Sequence, residues 1–236
     1  MIPKIIHIAW KTKNILDSDS IFIKNCIGNL VSLADQWDTI IYDDNDIDQY
    51  LKENLDRSDY QLLKPKHIIE KSDVWRLIKM YKEGGLYVDI DRLCNIPLDI
   101  IAGEDIKVVL PTCKDLDFSQ DFMMSESNNP IFIETLKLNL ERRHSGCDNV
   151  YYLGAQTYLH GIMMSTMGKI VEQNEMNIIQ MREKFEMIDF VRTYREDPPY
   201  DTIIYRPQLS KVSFDHETEK RKFYGEQNIK HWTGDW

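Results

Sequence analysis

Residues 71–95 read KSDVWRLIKMYKEGGLYVDIDRLCN, and this stretch sets the fold. Ser72 is a residue type that caps helix N-termini, and Asp73 behind it suits the positive end of a helix dipole. Val74, Leu77, Ile78 and Tyr81 recur at i, i+3, i+4 and i+7, which gives the helix one apolar face. Gly84 and Gly85 end it, because glycine accepts the left-handed backbone that helix ends need. Leu86, Val88 and Ile90 then alternate with Tyr87, Asp89 and Asp91, the period of a strand. On such a strand Asp89 and Asp91 share a face, roughly 6.5–7 Å apart.

Two anions that close are unfavourable unless a cation sits beside them. Oxygen ligands of this kind suit Mg²⁺ or Mn²⁺ shared with substrate phosphates. An isolated D-x-D is more often a solvated strand end. Here it closes a helix, a double glycine and an apolar strand, and that context favours a ligand site.

The pattern S-D-x-x-R followed by Y-x-x-G-G-x-Y-x-D-x-D, from Ser72 to Asp91, resembles the sugar-nucleotide glycosyltransferases with a DXD sugar-binding region. That family includes fungal initiating α-1,6-mannosyltransferases and bacterial capsular polysaccharide enzymes, with the sugar-transferring domains of large clostridial toxins as more distant relatives. The resemblance implies an α/β chain with a single-domain GT-A-type nucleotide-sugar transferase fold over residues 1–236. Its sheet would be mixed, mostly parallel and flanked by helices. It also implies a retaining transfer from a UDP- or GDP-linked sugar to a hydroxyl of a glycan, lipid-linked or protein acceptor, with Mn²⁺ or Mg²⁺ as cofactor.

Site roles follow from the same resemblance. Asp91 is the best metal ligand, and Asp89 would contact ribose, sugar or a metal-bound water. Asp73 would hold sugar hydroxyls and Arg76 would grip the sugar or a phosphate, for which a planar guanidinium is suited. The run IPKIIHIAW, residues 2–10, matches the family's opening. It would place Ile8, Ala9 and Trp10 on the nucleotide base and Lys11 near the phosphates. Tyr87 and Trp236 join the donor site, and His231 and Asp235 would complete the metal site from the closing HWTGDW, where aspartate stands in place of the family's usual serine. Ser125, Glu126 and Asn128, and on the acceptor side Gly154, Gln156 and Thr157, are weaker candidates. Gly154-Ala155 departs from the G-P that relatives carry.

Composition bounds these readings. The chain has 236 residues, 42% hydrophobic and 29% charged, as expected for one globular domain with a full core. A net charge of −10 argues against tracking a nucleic-acid backbone and requires local positive charge or a metal for an anionic substrate. No apolar run reaches a transmembrane length, and the N-terminus lacks a signal-peptide layout. Cys26, Cys94, Cys113 and Cys147 are widely spread and read as reduced core thiols. The expected location is therefore cytoplasmic, at most peripheral to a membrane.

Outward from the central stretch, residues 2–10 read as a first strand buried on both faces, with Ile5-Ile6-His7-Ile8 as its apolar run, and His7 as either a core or a site histidine. Residues 21–33 form an amphipathic helix, and residues 37–42 a strand ended by Asp43-Asp44-Asn45-Asp46. A calcium loop starting at Asp44 fails, since Gln49 holds the glycine position and Leu55 the last ligand position. The acids instead cap a helix over residues 47–55. Residues 108–110 and 122–125 are short strands, Pro130 opens a helix, residues 155–167 are helical, and 203–205 form a late strand. A phosphohydrolase using D-x-D is disfavoured because the motif comes late and is followed by Arg92. A sugar-nucleotide-binding relative without activity is the non-enzymatic alternative.

Overall fold

The computed structural model describes residues 1–94, 97–103, 106–112, 120–158, 161–162, 191–195, 204–205 and 216–229. A six-stranded sheet in the order β2-β1-β3-β6-β5-β7 forms its centre. The strands are β1 (Ile5–Ala9), β2 (Asp38–Tyr42), β3 (Gly85–Val88), β5 (Val108–Thr112), β6 (Phe122–Ser125) and β7 (Val191–Arg195). β1 runs parallel to β2 and β3, and β5 parallel to β7, while β6 is antiparallel to both neighbours. The sheet is thus mixed and mostly parallel. A separate ladder pairs β4 (Leu93–Cys94) with β8 (Ile204–Tyr205).

Alternation along the strands divides the interior into two layers. Ile6, Ile8, Leu86, Val88, Phe122 and Met124 pack on α1 (Ile21–Ser32), α5 (Leu98–Ala102) and α7 (His216–Glu226). Tyr87, Met123 and Val108 face the opposite layer, built by α2 (Asp44–Asn54), α3 (Arg57–Leu63), α4 (Ile68–Lys82) and α6 (Pro130–His144). A strand covered on both faces must be apolar on both, as the IIHI run is. His7 satisfies that rule as a neutral ring. Its Nε2–H donates to the Gly84 carbonyl at 2.9 Å, leaving Nδ1 to accept from the Tyr42 hydroxyl at 3.2 Å. Burial lowers its pKa from the usual histidine value.

The glycine pair is required by close approach. Gly84 and Gly85 have φ of +68° and +91°. A Cβ on Gly85 would lie 2.5 Å from the Ile5 carbonyl oxygen, and one on Gly84 would lie 2.6 Å from the Ser127 nitrogen. The chain therefore passes from α4 into the centre of the sheet through a gap that excludes any side chain.

Three expectations are corrected. α4 starts at Ile68, where the His67 ring accepts from the Ile69 nitrogen, so Ser72 and Asp73 lie inside the helix rather than at its cap. β3 stops at Val88. Beyond it the Asp89 nitrogen donates to the Asp121 carbonyl, and the Arg92 nitrogen to the Asp89 carbonyl at 3.0 Å, closing a turn. β5 continues through Pro111. A π-helical turn at Tyr152–Gln156 overlaps the start of the segment expected to be helical, whose described residues 157–158 and 161–162 are helical. The acid cluster after β2 is a capping box: Asp43 accepts from the Asn45 and Asp46 nitrogens, and Asp46 accepts from the Asp43 nitrogen.

Cys26 and Cys94 are buried free thiols, and Cys147 is a free thiol at intermediate depth, while Cys113 lies outside the described residues. Burial raises the Cys26 pKa and pushes Cys94 up to about 12, so neither is a thiolate at neutral pH. Among the described residues no helix is long and apolar enough to cross a membrane.

Candidate active site at the C-terminal edge of the parallel strands

β1, β2 and β3 run in one direction, so their C-terminal ends share an edge of the sheet. Trp10, Asp43 and Asp89 leave the sheet there. In open α/β sheets this edge is where ligands bind, because side chains from successive loops converge on it.

Arg76 is the hub. It projects from α4 over the Tyr87 ring, with its guanidinium carbon 4.6 Å from the ring centroid. Its Nη2 lies 2.7 Å from Asp73 Oδ1, and its Nη1 lies 3.6 Å from Asp89 Oδ1 while donating to the Gln120 carbonyl at 2.9 Å. The helical spacing that puts Asp73 and Arg76 on one face holds. The surface-pair reading does not, because the two side chains are only 15% and 10% exposed. Burial raises the Asp73 pKa, Arg76 opposes the rise, and the charge of Asp89 adds to it, since one guanidinium serves two carboxylates. The Tyr87 hydroxyl donates to Asp89 Oδ1 at 2.6 Å.

Asp91 points elsewhere. With the strand ended at Val88, the turn sends Asp89 toward Arg76 and Asp91 toward α7, where the Lys220 ammonium pairs with Asp91 Oδ2. The Asp91 side chain is 10% exposed. Lys220 also lies 5.6 Å from the Tyr224 ring centroid, and the buried Tyr224 hydroxyl bonds to Asp91. Two anions on one strand face have become two anions with separate cations.

The same helix covers the nucleotide-side candidates. Trp10 is buried, stacks on Phe223 with centroids 5.5 Å apart and meets the Tyr224 ring at a tilt of 52° with centroids 5.9 Å apart. Its indole Nε1 is buried with no hydrogen-bond partner among the described residues. Lys11 donates to the Gln227 carbonyl at 2.8 Å, Ile8 is core, and Ala9 is partly buried beside Tyr42. His231, Asp235 and Trp236 lie outside the described residues.

The described donor set does not fit a divalent ion in this arrangement. Among the described residues no three of the histidine, cysteine, aspartate and glutamate side chains cluster as metal ligands. Asp89 is engaged by Tyr87 and Arg76, and Asp91 by Lys220 and Tyr224.

The remaining candidates divide. Ser125 pairs with Gly85, at the opposite end of β3 from Asp89. Its hydroxyl donates to the Lys107 carbonyl, Glu126 faces Lys107 and the N-terminal amine, and the Asn128 nitrogen donates to the Tyr81 carbonyl. Ser125 ends β6 and Glu126 and Asn128 follow it, at the end of the sheet opposite Asp89. Gly154 lies nearer: its carbonyl accepts from the Gln120 side chain, whose own carbonyl holds Arg76. Thr157 is buried, donating to Tyr152 and accepting from Arg142. The Gln156 side chain lies outside the described residues.

Sequence reasoning missed Gln120, Asp121 (which pairs with Arg92), Lys220, Phe223 and Tyr224. The only signal for α7 was a pair of adjacent aromatics within a charged run, EKRKFYGE, and nothing local tells which surface such a helix covers.

The acidic turn and the guanidinium hub lie in the part of the chain that is similar to the glycosyltransferases with a DXD sugar-binding region. Residues 12–107 match the family model described as "Glycosyltransferase sugar-binding region containing DXD motif", which contains α4, β3, Asp89 and Asp91. The chain is 26% identical over 140 residues to inositol phosphoceramide mannosyltransferase 1 of Schizosaccharomyces pombe, covering 57% of this chain and 42% of that protein. It is 28% identical over 137 residues to mannosyl phosphorylinositol ceramide synthase SUR1 of Saccharomyces cerevisiae, covering 58% and 34%. The chain thus spans less than half the length of these relatives. The solved PaToxG glycosyltransferase shares the fold, with a TM-score of 0.50 at 19% identity over 78% of this chain and 75% of that one.

Proposed function

We propose that the chain is the catalytic domain, over residues 1–236, of a retaining glycosyltransferase that moves a sugar from a nucleoside diphosphate to an acceptor hydroxyl. The observation that carries this reading is the cluster of Asp73, Arg76, Tyr87 and Asp89 where the parallel strands end. Carboxylates accept hydrogen bonds from ribose or sugar hydroxyls, and a buried guanidinium offers paired donors to phosphate or sugar oxygens. As the glycosidic bond breaks, negative charge grows on the leaving diphosphate. Positive groups fixed beside it, in a site partly shielded from water, lower the barrier.

Two relatives carry mannosyltransferase or mannosyl synthase names, which supports a mannosyl donor and a lipid-linked acceptor hydroxyl. A divalent cation, Mn²⁺ or Mg²⁺, would supply further charge to the diphosphate when bound. The resemblance would make Asp91 and Asp89, with His231 and Asp235, its ligands, a set that the described residues do not assemble. A cytoplasmic location peripheral to a membrane belongs to the same proposal.

The test is incubation with a panel of UDP- and GDP-linked sugars in Mn²⁺, measuring free nucleoside diphosphate. Release from one donor, abolished in Asp89→Asn, supports the reading. Donor binding without release marks a binding protein, and turnover of simple phosphate esters alone would overturn the proposal.

A further inference from the structure

We propose, on the reading of Arg76 as a substrate-gripping residue, that Gln120 is its positioning residue and ties it to the π-helical turn at Tyr152–Gln156. Gln120 uses two groups at once. Its backbone carbonyl accepts from Arg76 Nη1 at 2.9 Å, and its side-chain amide donates to the Gly154 carbonyl at 3.0 Å. The next residue serves Asp89 in the same way, since the Asp121 carbonyl accepts from the Asp89 nitrogen at 2.8 Å. Residues 120–121 therefore bond to both Arg76 and Asp89. Those two side chains stand 3.6 Å apart, too far for a direct hydrogen bond to fix their geometry. The shared segment fixes it instead.

The far end of the tie is firmly held. The carbonyls of Tyr152, Leu153 and Gly154 accept from Arg142, Asn139 and Gln120 at 3.0, 2.8 and 3.0 Å. Asn139 is buried and accepts from Arg143 Nε at 2.8 Å, and Arg143 Nη1 donates to Glu70 at 2.7 Å. Glu70 lies on α4, as Arg76 does. The bonds thus run in a ring, from Arg76 through Gln120, the turn, Asn139 and Arg143 back to the same helix. Gln120 is the link in that ring between the turn and the guanidinium. A group that grips a substrate works only when its neighbours hold it to within about 0.5 Å.

Gln120→Met keeps the length of the side chain and removes its donor. The carbonyl stays, but the segment that carries it is no longer fastened to the turn. The experiment reads the Arg76 guanidinium by ¹⁵N magnetic resonance, its signals assigned by their loss in Arg76→Lys. A guanidinium bonded at both Nη nitrogens, here to Asp73 and to Gln120, turns slowly about its Cζ–Nε bond and gives separate Nη signals. One bonded at a single nitrogen turns freely, and its signals merge. Separate signals are expected in the unaltered chain and merged ones in Gln120→Met. Donor kcat/KM should fall about tenfold in that variant, less than the hundredfold that a full displacement can cost. Its urea midpoint should stay close to that of the unaltered chain, which a merely structural bond would not allow together with lost turnover.

Separate Arg76 signals in Gln120→Met overturn the proposal, as do merged signals already present in the unaltered chain, or merged signals in the variant with full kcat/KM. Should Gln120→Met fail to fold, Gln120→Glu, of the same length and unable to donate when ionised, is read in its place. The resonance measurement requires no sugar nucleotide. Merging in Gln120→Met, in a chain that releases diphosphate from no donor, would confirm the hold on Arg76 and refute the transferase. An active chain whose Arg76 signals stay separate in Gln120→Met would refute the positioning and leave the transferase standing.

Discussion

The Tyr87 hydroxyl donates to the Asp89 carboxylate at 2.6 Å, two residues along the chain. On a continuous strand these side chains would point to one face without meeting so closely. They meet because the strand ends between them and the turn folds Asp89 back against the ring that Arg76 covers. The contact makes Tyr87 the fixed floor of the acidic site, and burial keeps its hydroxyl protonated.

Tyr87→Phe should therefore keep the fold and loosen Asp89. A hydrogen bond to a charged group contributes about 1.5–3 kcal/mol in favourable cases, and partial exposure of Asp89 puts the effect at the low end. Donor hydrolysis is expected to fall about tenfold in kcat/KM, with the melting temperature little changed. Initial rates against donor concentration and a thermal scan check both parts.

Arg76→Lys should be far more damaging than a conservative exchange suggests. Lysine offers no planar fork, so Asp73 and Asp89 would have to share one point charge. Removing one member of a buried ion pair costs about 3–5 kcal/mol, because the partner is left charged and buried. Turnover should fall by about two orders of magnitude or more, with a clear loss of stability in urea. Arg76→Met combined with Asp73→Asn should recover stability but no turnover, which separates the structural cost from the functional one.

Glycine substitutions should have opposite signs at two positions. Gly85→Ala forces a Cβ to 2.5 Å from the Ile5 carbonyl at a φ of +91°, and should destabilise by about 3 kcal/mol or prevent folding. Gly28 lies inside α1, and a Cβ there meets nothing within 4 Å. Gly28→Ala should stabilise by about 0.5–1 kcal/mol through helix propensity. Chemical denaturation of the two variants gives the comparison.

Stability should fall in mild acid through His7. Its folded pKa is below the unfolded value of about 6.5, so the unfolded chain binds more protons in that window. The contribution is complete above about pH 6.5 and is lost as pH drops toward the lowered folded value. His7→Gln, whose amide can still donate to Gly84, should flatten the dependence. Urea unfolding midpoints at a series of pH values between neutral and mildly acidic measure it.

Much of this molecule is legible locally. The apolar periodicity of residues 74–81, the double glycine, the IIHI strand, the caps at Asp43 and Asn129 and the proline opening α6 are all set by neighbours within a few residues. The i, i+3 spacing that joins Asp73 to Arg76 belongs with them. Helix and strand periods and turn chemistry are short-range, so one sequence carries them without help.

Tertiary structure alone decided the rest. Whether Asp89 and Asp91 share a face depended on where β3 gives way to a turn, and the bond from the Arg92 nitrogen to the Asp89 carbonyl answers that. Whether Trp10 faces a ligand or a helix depended on α7, which arrives from the far end of the chain. Ion pairs and aromatic stacks form between whichever surfaces the fold brings together, and their partners carry no mark of each other in the sequence. Asp73, Arg76, Tyr87 and Asp89 were therefore legible as candidates from local pattern, while the groups they and Asp91 meet followed only from packing.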